Sequence, residues 1–417
     1  TNPFVVAVIN FSIMLFVAAA YFAAANYLFI AKRIEIPVFA AIGLIAATFL
    51  SVFIYRFLTE EKEKKKMKGM FSTYVNPQVV DSLLADPDKL KLGGERTRAS
   101  VFFSDVAGFT SISEALTPEE LVELLNEYLT EMTAILMQYG GTLDKYIGDA
   151  IVGIFGAPIP FPEHAKNVCY NALDMQAKIA EMREVWKTQG KHLLQVRCGA
   201  NTGEMIAGNM GSTNRFCYTV IGPEVDFGEH MESSGKLYST QTTISEFTRA
   251  EADDFIITRF LDIQISSAYK NPVKIYELLA KKSDGLPDIK LECCDLHEDS
   301  VLFYFQRRFD EAAEKAARIF DIFPEKPVGD ATSALTAAAK QAVDLYRQGK
   351  YKESAKLMSK SINSKTYPPE RLEEETVKFL HPTCMQFVRI AEAKADPPDA
   401  SFDAILAEAT HRKDLKF

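Results

Sequence analysis

The sequence predicts an α+β fold whose central domain is a ferredoxin-type sandwich. Strand-like and helix-like patterns follow one another in the order β-α-β-β-α-β from Ala99 onward, which is the order of that sandwich. Two long apolar segments precede this domain, and a helical pattern follows it. We therefore expect four regions: two transmembrane helices at 1–56, a cytoplasmic coupling helix at 57–95, the sandwich domain at 96–282 and a helical C-terminal region at 283–417.

Charge and composition exclude some classes of protein. The chain has 417 residues and a formal net charge of −9, which argues against a nucleic-acid partner because binding a phosphate backbone needs an excess of lysine and arginine. The six cysteines include no C-x-x-C pair, and the six histidines form no H-E-x-x-H pattern. We expect reduced thiols and a largely cytosolic chain.

The N-terminal region predicts an anchor in the lipid bilayer. Phe4–Ile30 and Pro37–Tyr55 are apolar and long enough to cross a hydrocarbon core of about 30 Å. A hairpin buried in a globular core is the alternative, and runs of this length with so few charges argue against it. The basic run "EKEKKKMK" after the second segment places that side in the cytoplasm. We expect a multi-pass protein of the cell (inner) membrane with a cytoplasmic central domain.

The segment Phe57–Leu84 predicts the coupling helix. Met67, Met70, Phe71 and Tyr74 recur at helical spacing on one face. This face suits pairing with a second copy in a dimer, although a short amphipathic core helix has the same pattern. "KLGGERTRA" after it is interpreted as a turn.

The elements of the central domain follow from local signals. "ASVFFSD" predicts a buried strand, and Thr117–Glu120 is a capping box with Pro118 at the first helical position. That helix ends at Gly140-Gly141, and "TLDKYIGDAIVGIFG" predicts two strands around a tight turn. Glu163–Gln189 predicts a second helix. We interpret "LQVRCGANTGEMIAGNMG" as another hairpin and "FCYTVIG", "DFIITRF" and "VKIYELLA" as the remaining strands.

The C-terminal region contains two similar helical segments 42 residues apart. They resemble tetratricopeptide units, although the usual period is about 34 residues. Two units are too few for a solenoid, so we expect a helical appendage. The equivalent positions are Phe309 and Tyr351, Ala312 and Ser354, and Ala316 and Met358.

Two acids are the first candidate functional residues. Asp105 ends the strand "VFFSD", and Asp149 lies in the turn of "YIGDA". A β-α-β-β sheet brings these positions onto neighbouring strands, and paired carboxylates suit Mg²⁺ or Mn²⁺ that is also held by triphosphate oxygens. Taken singly, Asp149 could be a turn residue and Asp105 a strand cap. Gly108, just after Asp105, lets backbone amides turn toward a phosphate.

Three motifs carry a resemblance to a known family. "FFSDVAGFTSISE", "LDKYIGDAIVGIFGAP" and "NTGEMIAGNMGS" resemble the class III adenylate/guanylate cyclases, and the resemblance extends from about Ala99 to Leu279. The upstream segment "FSTYVNPQVVDSLLADPDKLKLGGE" is similar to the linker of bacterial membrane-bound members with a CHASE-like sensor. The resemblance therefore implies that a sensor and a further span precede Thr1.

The resemblance also implies a site formed between two domains, in a homodimer or in a heterodimer with another cyclase chain. One domain binds two Mg²⁺ or Mn²⁺ ions per active site, and the other reads the base with a pair that favours ATP over GTP. The product is cyclic AMP, released with pyrophosphate after the ribose 3′-oxygen attacks the α-phosphorus. The implied metal ligands are Asp105, Asp149 and the carbonyl of Val106, the base-reading pair is Lys145 and Thr219, and Gly108, Phe109 and Thr110 contact the substrate.

Three positions depart from the family pattern. In "VDFGEHME", Asp226 and His230 replace the asparagine that orients the ribose and the arginine that stabilises the transition state. Tyr269 replaces a lysine for the triphosphate tail. The first catalytic half of mammalian membrane adenylyl cyclases also reads "HME" and depends on a second half. We expect a slow homodimer or a need for a complementary chain, and the alternative is an inactive module that dimerises and transmits a signal. A diguanylate cyclase is disfavoured because "YIGDA" replaces its GGDEF-type loop.

Overall fold

The protein is described by a computed structural model. It describes residues 3–32, 43–44, 47–52, 54–55, 93–212, 215–264, 272–322, 331–362 and 375–398. The chain divides into two units, Thr1–Asp81 and Ser82–Phe417. All six cysteines lie in the described ranges and are free thiols.

The first unit contains one long apolar helix, α1 (Pro3–Lys32). Within it, Ser12–Ala31 has a mean hydropathy of 2.0 and only 6% of it is buried, so it is long and apolar enough to cross a membrane. It is the one such helix within the described residues, so these residues do not support the multi-pass prediction. Of the predicted second span, residues 43–44, 47–52 and 54–55 are helical and the others lie outside the described ranges. The predicted coupling helix Phe57–Leu84 lies outside them as well.

The second unit begins with a mixed sheet and its helices, which confirms the predicted α+β class. In chain order the elements are β1 (Gly93–Val106), α2 (Phe109–Ala115), α3 (Pro118–Gln138), β2 (Thr142–Ile147), β3 (Ala150–Phe155), α4 (His164–Gln189), β4 (Val196–Ser212), β5 (Arg215–Ile221), α5 (Pro223–Tyr238), β6 (Thr242–Ser245), α6 (Glu246–Ala252), β7 (Ile256–Gln264) and β8 (Val273–Lys281).

The strands lie in the order β2-β3-β1-β4-β6-β8-β7, and β5 pairs with β4 beside this path. The β1 strand is antiparallel to both β3 and β4, whereas β4 and β6 are parallel. The capping box at the start of α3 is present, with Thr117 accepting from the backbone of Glu120. The α3 and α4 helices bury their apolar faces in the main core, where Tyr128, Met132 and Trp186 are inaccessible or nearly so.

Two predictions about this sheet were wrong. The segment interpreted as a hairpin is the single strand β4, which pairs with β1 from Gly93↔Asn209 to Val106↔Val196. The hairpin partner of its second half is β5. From Gly93 onward, the predicted turn "KLGGERTRA" is likewise part of β1.

The glycines of β4 explain why its sequence resembles a hairpin. They allow other backbone segments to pack closely against β4, and they do not form a turn. A Cβ on Gly199 would lie 2.1 Å from the backbone nitrogen of Glu232 in α5, and a Cβ on Gly208 would lie 2.2 Å from the carbonyl of Gly93. Side-chain atoms never approach backbone so closely. Glycine therefore lets α5 and β1 pack directly on β4.

The C-terminal region is helical, as predicted. Its helices are α7 (Asp288–Phe305), α8 (Phe309–Ile322), α9 (Ala331–Arg347), α10 (Tyr351–Ser361) and α11 (Glu375–Ala395).

The two repeat units have the same local structure. Tyr304 packs against Phe309 with ring centroids 5.8 Å apart, and 42 residues later Tyr346 packs against Tyr351 at 4.9 Å. Each contact joins the end of one helix to the start of the next. Both units are therefore helical hairpins closed by an aromatic pair.

The appendage packs on the sheet edge formed by β7 and β8. Arg259 of β7 is fully buried, pairs with Glu277 of β8, and donates to the carbonyl oxygen of Phe379 in α11 at 2.7 Å. Its guanidinium also lies 4.6 Å from the Phe379 ring centroid. A buried charge with this many partners fixes α11 on the sheet.

Candidate active site

The two predicted metal-binding acids lie together. Asp105 is near the end of β1, Asp149 lies in the turn between β2 and β3, and the pairing Ser104↔Ile151 makes β1 and β3 neighbours. The Asp149 carboxylate accepts from the backbone N–H of Val106 at 3.0 Å. The two motifs therefore meet at neighbouring strands, as the sequence predicted.

The electrostatics of this pair favour a cation. Burial raises the pKa of the Asp149 carboxyl above its ordinary value, and the negative charge of Asp105 raises it further, while the Val106 N–H lowers it. Two interacting carboxyls that resist joint ionisation are stabilised by a divalent ion. The donor set is small, since within the described ranges no group of three His, Cys, Asp or Glu side chains could hold a metal. Two carboxylates and a backbone carbonyl fit an ion that shares its shell with phosphate oxygens.

Arg197, which the sequence analysis did not select, bridges two acids. Its Nη2 donates to Asp105 at 2.9 Å, and its Nε donates to Glu232 of α5 at 3.0 Å. Burial raises the pKa of Glu232 and the charge of Arg197 lowers it. Arg197 thus partly neutralises Asp105, one of the two predicted metal ligands, and ties α5 to the sheet.

The predicted base-reading residues also lie together, with a third residue. Lys145 Nζ donates to the Thr219 hydroxyl oxygen at 3.3 Å, and that hydroxyl donates to Asp144 at 2.8 Å. Asp144 occupies a β-bulge, because Leu143 pairs with Gly153 and Lys145 already pairs with Val152. A bulge turns an extra side chain toward its neighbours, and no local pattern in the sequence predicts the bulge that places Asp144 here.

Asp144 is buried as well as bonded. Its side chain is 3% exposed, and its Oδ1 has no hydrogen-bond partner among the described residues. Burial raises the pKa of its carboxyl, while the Thr219 hydroxyl and Lys145 lower it. The three residues form a compact group that we call the base-site trio: Asp144, Lys145 and Thr219.

Asp226 and His230 border an open groove of about 540 Å³ between β1, β3 and α5. The groove is strongly acidic, because its lining includes four carboxylates but one lysine, Lys236. Those carboxylates belong to Asp105, Asp226, Glu229 and Glu232.

His230 has a protein partner in this structure. Its Nε2 lies 2.7 Å from Oε1 of Gln264, the last residue of β7. Gln264 carries no local sequence signal, because only the packing of α5 across the sheet brings it to His230. Glu232 is the last residue of the motif "VDFGEHME" and lines the groove.

The predicted phosphate-contacting residues follow β1. Gly108 has φ 72°, in the left-handed region, and caps the short helix α2 that begins with Phe109 and Thr110. Tyr269 lies outside the described residues, so its predicted place in the site stays a prediction.

Comparisons with known proteins show which family the central domain is similar to. Residues 94–280 match the sequence family described as the adenylate and guanylate cyclase catalytic domain. Adenylate cyclase 1 of Rhizobium meliloti (strain 1021) is 27% identical over 184 residues, 44% of this chain and 28% of that protein. The adenylate cyclase of Anabaena cylindrica is 31% identical over 223 residues, 52% of this chain and 44% of that protein.

The crystal structure of the adenylyl cyclase CyaB from P. aeruginosa is 35% identical, with a TM-score of 0.43, and covers 45% of this chain and 97% of that one. The chain spans less than half the length of the two curated relatives. The family includes cyclases of both nucleotides, and its matched segment contains every element from β1 to β8 apart from the outermost residue at each end. Through this segment the chain belongs to the class III adenylate/guanylate cyclase family.

Proposed function

We propose that the chain is a membrane-anchored adenylate cyclase that converts ATP to cyclic AMP and pyrophosphate with two divalent metal ions. The observation that supports ATP as the substrate is the direction of the hydrogen bonds in the base-site trio. The anchor is α1, and the catalytic domain works on the cytoplasmic side of the cell (inner) membrane.

The trio favours adenine through the direction of its hydrogen bonds. A carboxylate only accepts, so the single proton of the Thr219 hydroxyl is committed to Asp144. The Thr219 oxygen can then only accept from a ligand, while the Lys145 ammonium can only donate. Adenine offers the matching pattern, an acceptor at N1 and a donor at its amino group. Guanine offers the reverse at N1 and O6.

The metal site would consist of Asp105, Asp149 and the carbonyl of Val106. Bound Mg²⁺ or Mn²⁺ would lower the pKa of the ribose 3′-hydroxyl and neutralise charge on the phosphates. The interacting carboxyls at the ends of β1 and β3 support this assignment.

Asp226 and His230, the residues expected to act on the ribose and the phosphates, suit that role poorly in this chain. Asp226 is exposed beside Glu229 and Glu232, so the groove repels polyphosphate. His230 is shorter than arginine and already contacts Gln264. We infer that the homodimer forms cyclic AMP slowly and that another cyclase chain can supply the missing asparagine and arginine.

A second surface supports assembly. Tyr146, Ile147 and Ile221 are 44%, 59% and 51% exposed beside the base-site trio. We call the residues that this chain would contribute to a shared active site its half-site. Exposed apolar side chains next to this half-site suit a second cyclase domain as partner. The alternative function is an inactive module that dimerises and transmits a signal, and the ion pair between Arg197 and Asp105 is the observation that favours it, because it occupies a metal ligand.

Complementation between two variants of this chain tests the proposal. The unmodified chain offers the metal acids, and the triple variant Asp105→Asn, Asp226→Asn, His230→Arg offers the restored groups without a complete metal site. Each purified full chain is assayed in detergent with Mn²⁺ and ATP, alone and mixed, and cyclic AMP is measured.

We expect the mixture to exceed the sum of the separate chains. Strong activity of the unmodified chain alone would refute the inference that the homodimer lacks catalytic groups, but it would support the assignment as a cyclase. No product in any sample, with both chains folded and associated, would favour the transducing module.

A further inference from the structure

A continuous set of polar contacts connects the helical appendage with the active-site groove. It begins at Arg389 of α11, whose Nη2 donates to Oδ1 of Asp262 in β7 at 3.2 Å. The Arg389 guanidinium also lies 4.9 Å from the ring centroid of Tyr304, and its Nη1 donates to Gln386 at 3.3 Å. These partners hold Arg389 against the edge of the sheet.

The next contacts lead toward the groove. The other carboxylate oxygen of Asp262 accepts from the hydroxyl of Tyr238, the last residue of α5. Gln264 donates from Nε2 to the Tyr238 oxygen at 3.0 Å, and its Oε1 lies 2.7 Å from Nε2 of His230. Tyr238 and Asp262 are buried, so water does not replace these bonds freely.

The chemistry of these groups fixes the direction of every proton. A carboxylate accepts only, so Tyr238 must donate to Asp262. The Tyr238 oxygen is then an acceptor, and it takes the amide N–H of Gln264. The Gln264 carbonyl oxygen consequently faces His230. The Ser234 hydroxyl donates to the backbone carbonyl of His230 at 2.7 Å and lies 3.3 Å from this Gln264 oxygen. His230 must therefore carry a proton on Nε2, which leaves Nδ1 as the acceptor of the neutral ring.

We propose that Arg389 and Asp262 are positioning residues that set the orientation and the tautomer of His230 from the C-terminal region. The proposal rests on the proposed function only in calling the groove a cyclase half-site. The helical appendage is then a structural component of that half-site. Arg389 acts through Asp262, Tyr238 and Gln264, and does not itself touch the groove.

The test reads the tautomer of His230 directly and needs no turnover. The full chain is produced with ¹⁵N-labelled histidine and studied in detergent by ¹H–¹⁵N correlation through the imidazole ring. The His230 signal is identified by its loss in His230→Gln. In the unmodified chain we expect Nε2 in the shift range of a protonated ring nitrogen.

Asp262→Asn should reverse the donor and acceptor roles along these hydrogen bonds without changing the shape of the side chain. Its amide oxygen should remain with Arg389, so its NH₂ group faces Tyr238 and the tyrosine must donate to Gln264. The glutamine amide then turns over, and Nε2 of His230 should move to the shift range of an unprotonated nitrogen. Arg389→Gln should weaken the preference of His230 for the tautomer with a proton on Nε2, so that both tautomers are populated.

Two further variants keep the test decisive. Tyr238→Phe removes one oxygen and adds no atom, so it breaks the connection even if Asp262→Asn fails to fold, and it should also yield both tautomers. Arg308→Gln is the matched control, because Arg308 forms an exposed ion pair with Glu311 in the same appendage. Unchanged His230 shifts in folded Tyr238→Phe and Arg389→Gln would overturn the proposal. Missing cyclase activity would leave this readout intact.

Discussion

Asp105 and Arg197 form an ion pair in which the guanidinium Nη2 lies 2.9 Å from the carboxylate. The other edge of Arg197 holds Glu232 at 3.0 Å, so a single cation serves two acids. The Asp105 side chain is 30% exposed and retains room for another ligand. A metal ion bound at this site would share Asp105 with Arg197, and Asp149 would then be the acid that depends most on the metal to balance its charge.

Removing either acid should therefore weaken metal-dependent nucleotide binding. We expect Asp105→Asn and Asp149→Asn each to lower the affinity for ATP in the presence of Mn²⁺ by at least about tenfold, or about 1.4 kcal/mol. Isothermal titration calorimetry on the full chain measures this. Asp254→Asn, an exposed acid on the turn before β7, is the control. Unchanged affinity in both site variants would exclude this metal site.

The raised pKa of Asp149 predicts opposite effects on binding and stability. A folded-state pKa above the unfolded value means that the contribution of this group is fully present below the unfolded pKa. It is lost as pH rises through the folded pKa. At neutral pH without metal, Asp149→Asn should therefore melt at a higher temperature than the unmodified chain. The asparagine oxygen can still accept from Val106.

Thermal melts in EDTA from pH 4 to 8 test this. The stability difference between the variant and the unmodified chain should grow with pH and be smallest at the acid end. A variant that melts lower at every pH would show that the charge of Asp149 stabilises the fold.

The sequence predicted β1 from Ala99 onward, α3, β2, β3 and the approach of Asp105 to Asp149, because buried strands, a capping box and a tight turn are local signals. It did not predict the short helix α2. It did not predict β4 as one strand, since the glycines that permit close packing look like turn residues. Arg197, Asp144 and Gln264 were missed for a related reason. Their roles depend on strand register, a bulge and the position of α5, none of which is encoded locally.

The base-site trio predicts a change in nucleotide preference. Asp144→Asn lets the Thr219 hydroxyl donate to a ligand, and Thr219→Val removes the acceptor altogether. Either should reduce the ratio of ATP to GTP affinity by about two- to tenfold, the range of about 0.5–1.5 kcal/mol for one hydrogen bond. Thr219→Ser retains the hydroxyl and should keep the preference. Competition binding with Mn²⁺ measures the ratio, and an unchanged ratio in both variants would place base recognition elsewhere.

Gly199 predicts a large effect on stability. Its Cβ position lies 2.1 Å from the Glu232 backbone nitrogen, so Gly199→Ala must push α5 away from the sheet. We expect the free energy of unfolding to fall by about 3 kcal/mol, the upper end of the range of about 1–3 kcal/mol that is typical of overpacked core positions. Gly203→Ala is the graded comparison, since its Cβ would meet the Glu224 side chain at 2.4 Å, and that side chain can rotate away. Equal denaturation midpoints for the two variants would contradict this account of the α5 packing.

The acidic groove predicts a gain of function. Asp226→Asn removes one of its four carboxylates, and His230→Arg adds a permanent cation that can contact phosphate in two places. The double variant, as a homodimer with Mn²⁺ and ATP, should form cyclic AMP at least about tenfold faster, equivalent to about 1.4 kcal/mol of barrier. Adding Asp105→Asn to it should abolish the gain, because the new arginine can act only on nucleotide held by metal. A gain that survives this third change would mean that the product forms without the acids of β1 and β3. No gain at all would mean that the groove is not what limits this chain, and the transducing function would then be favoured.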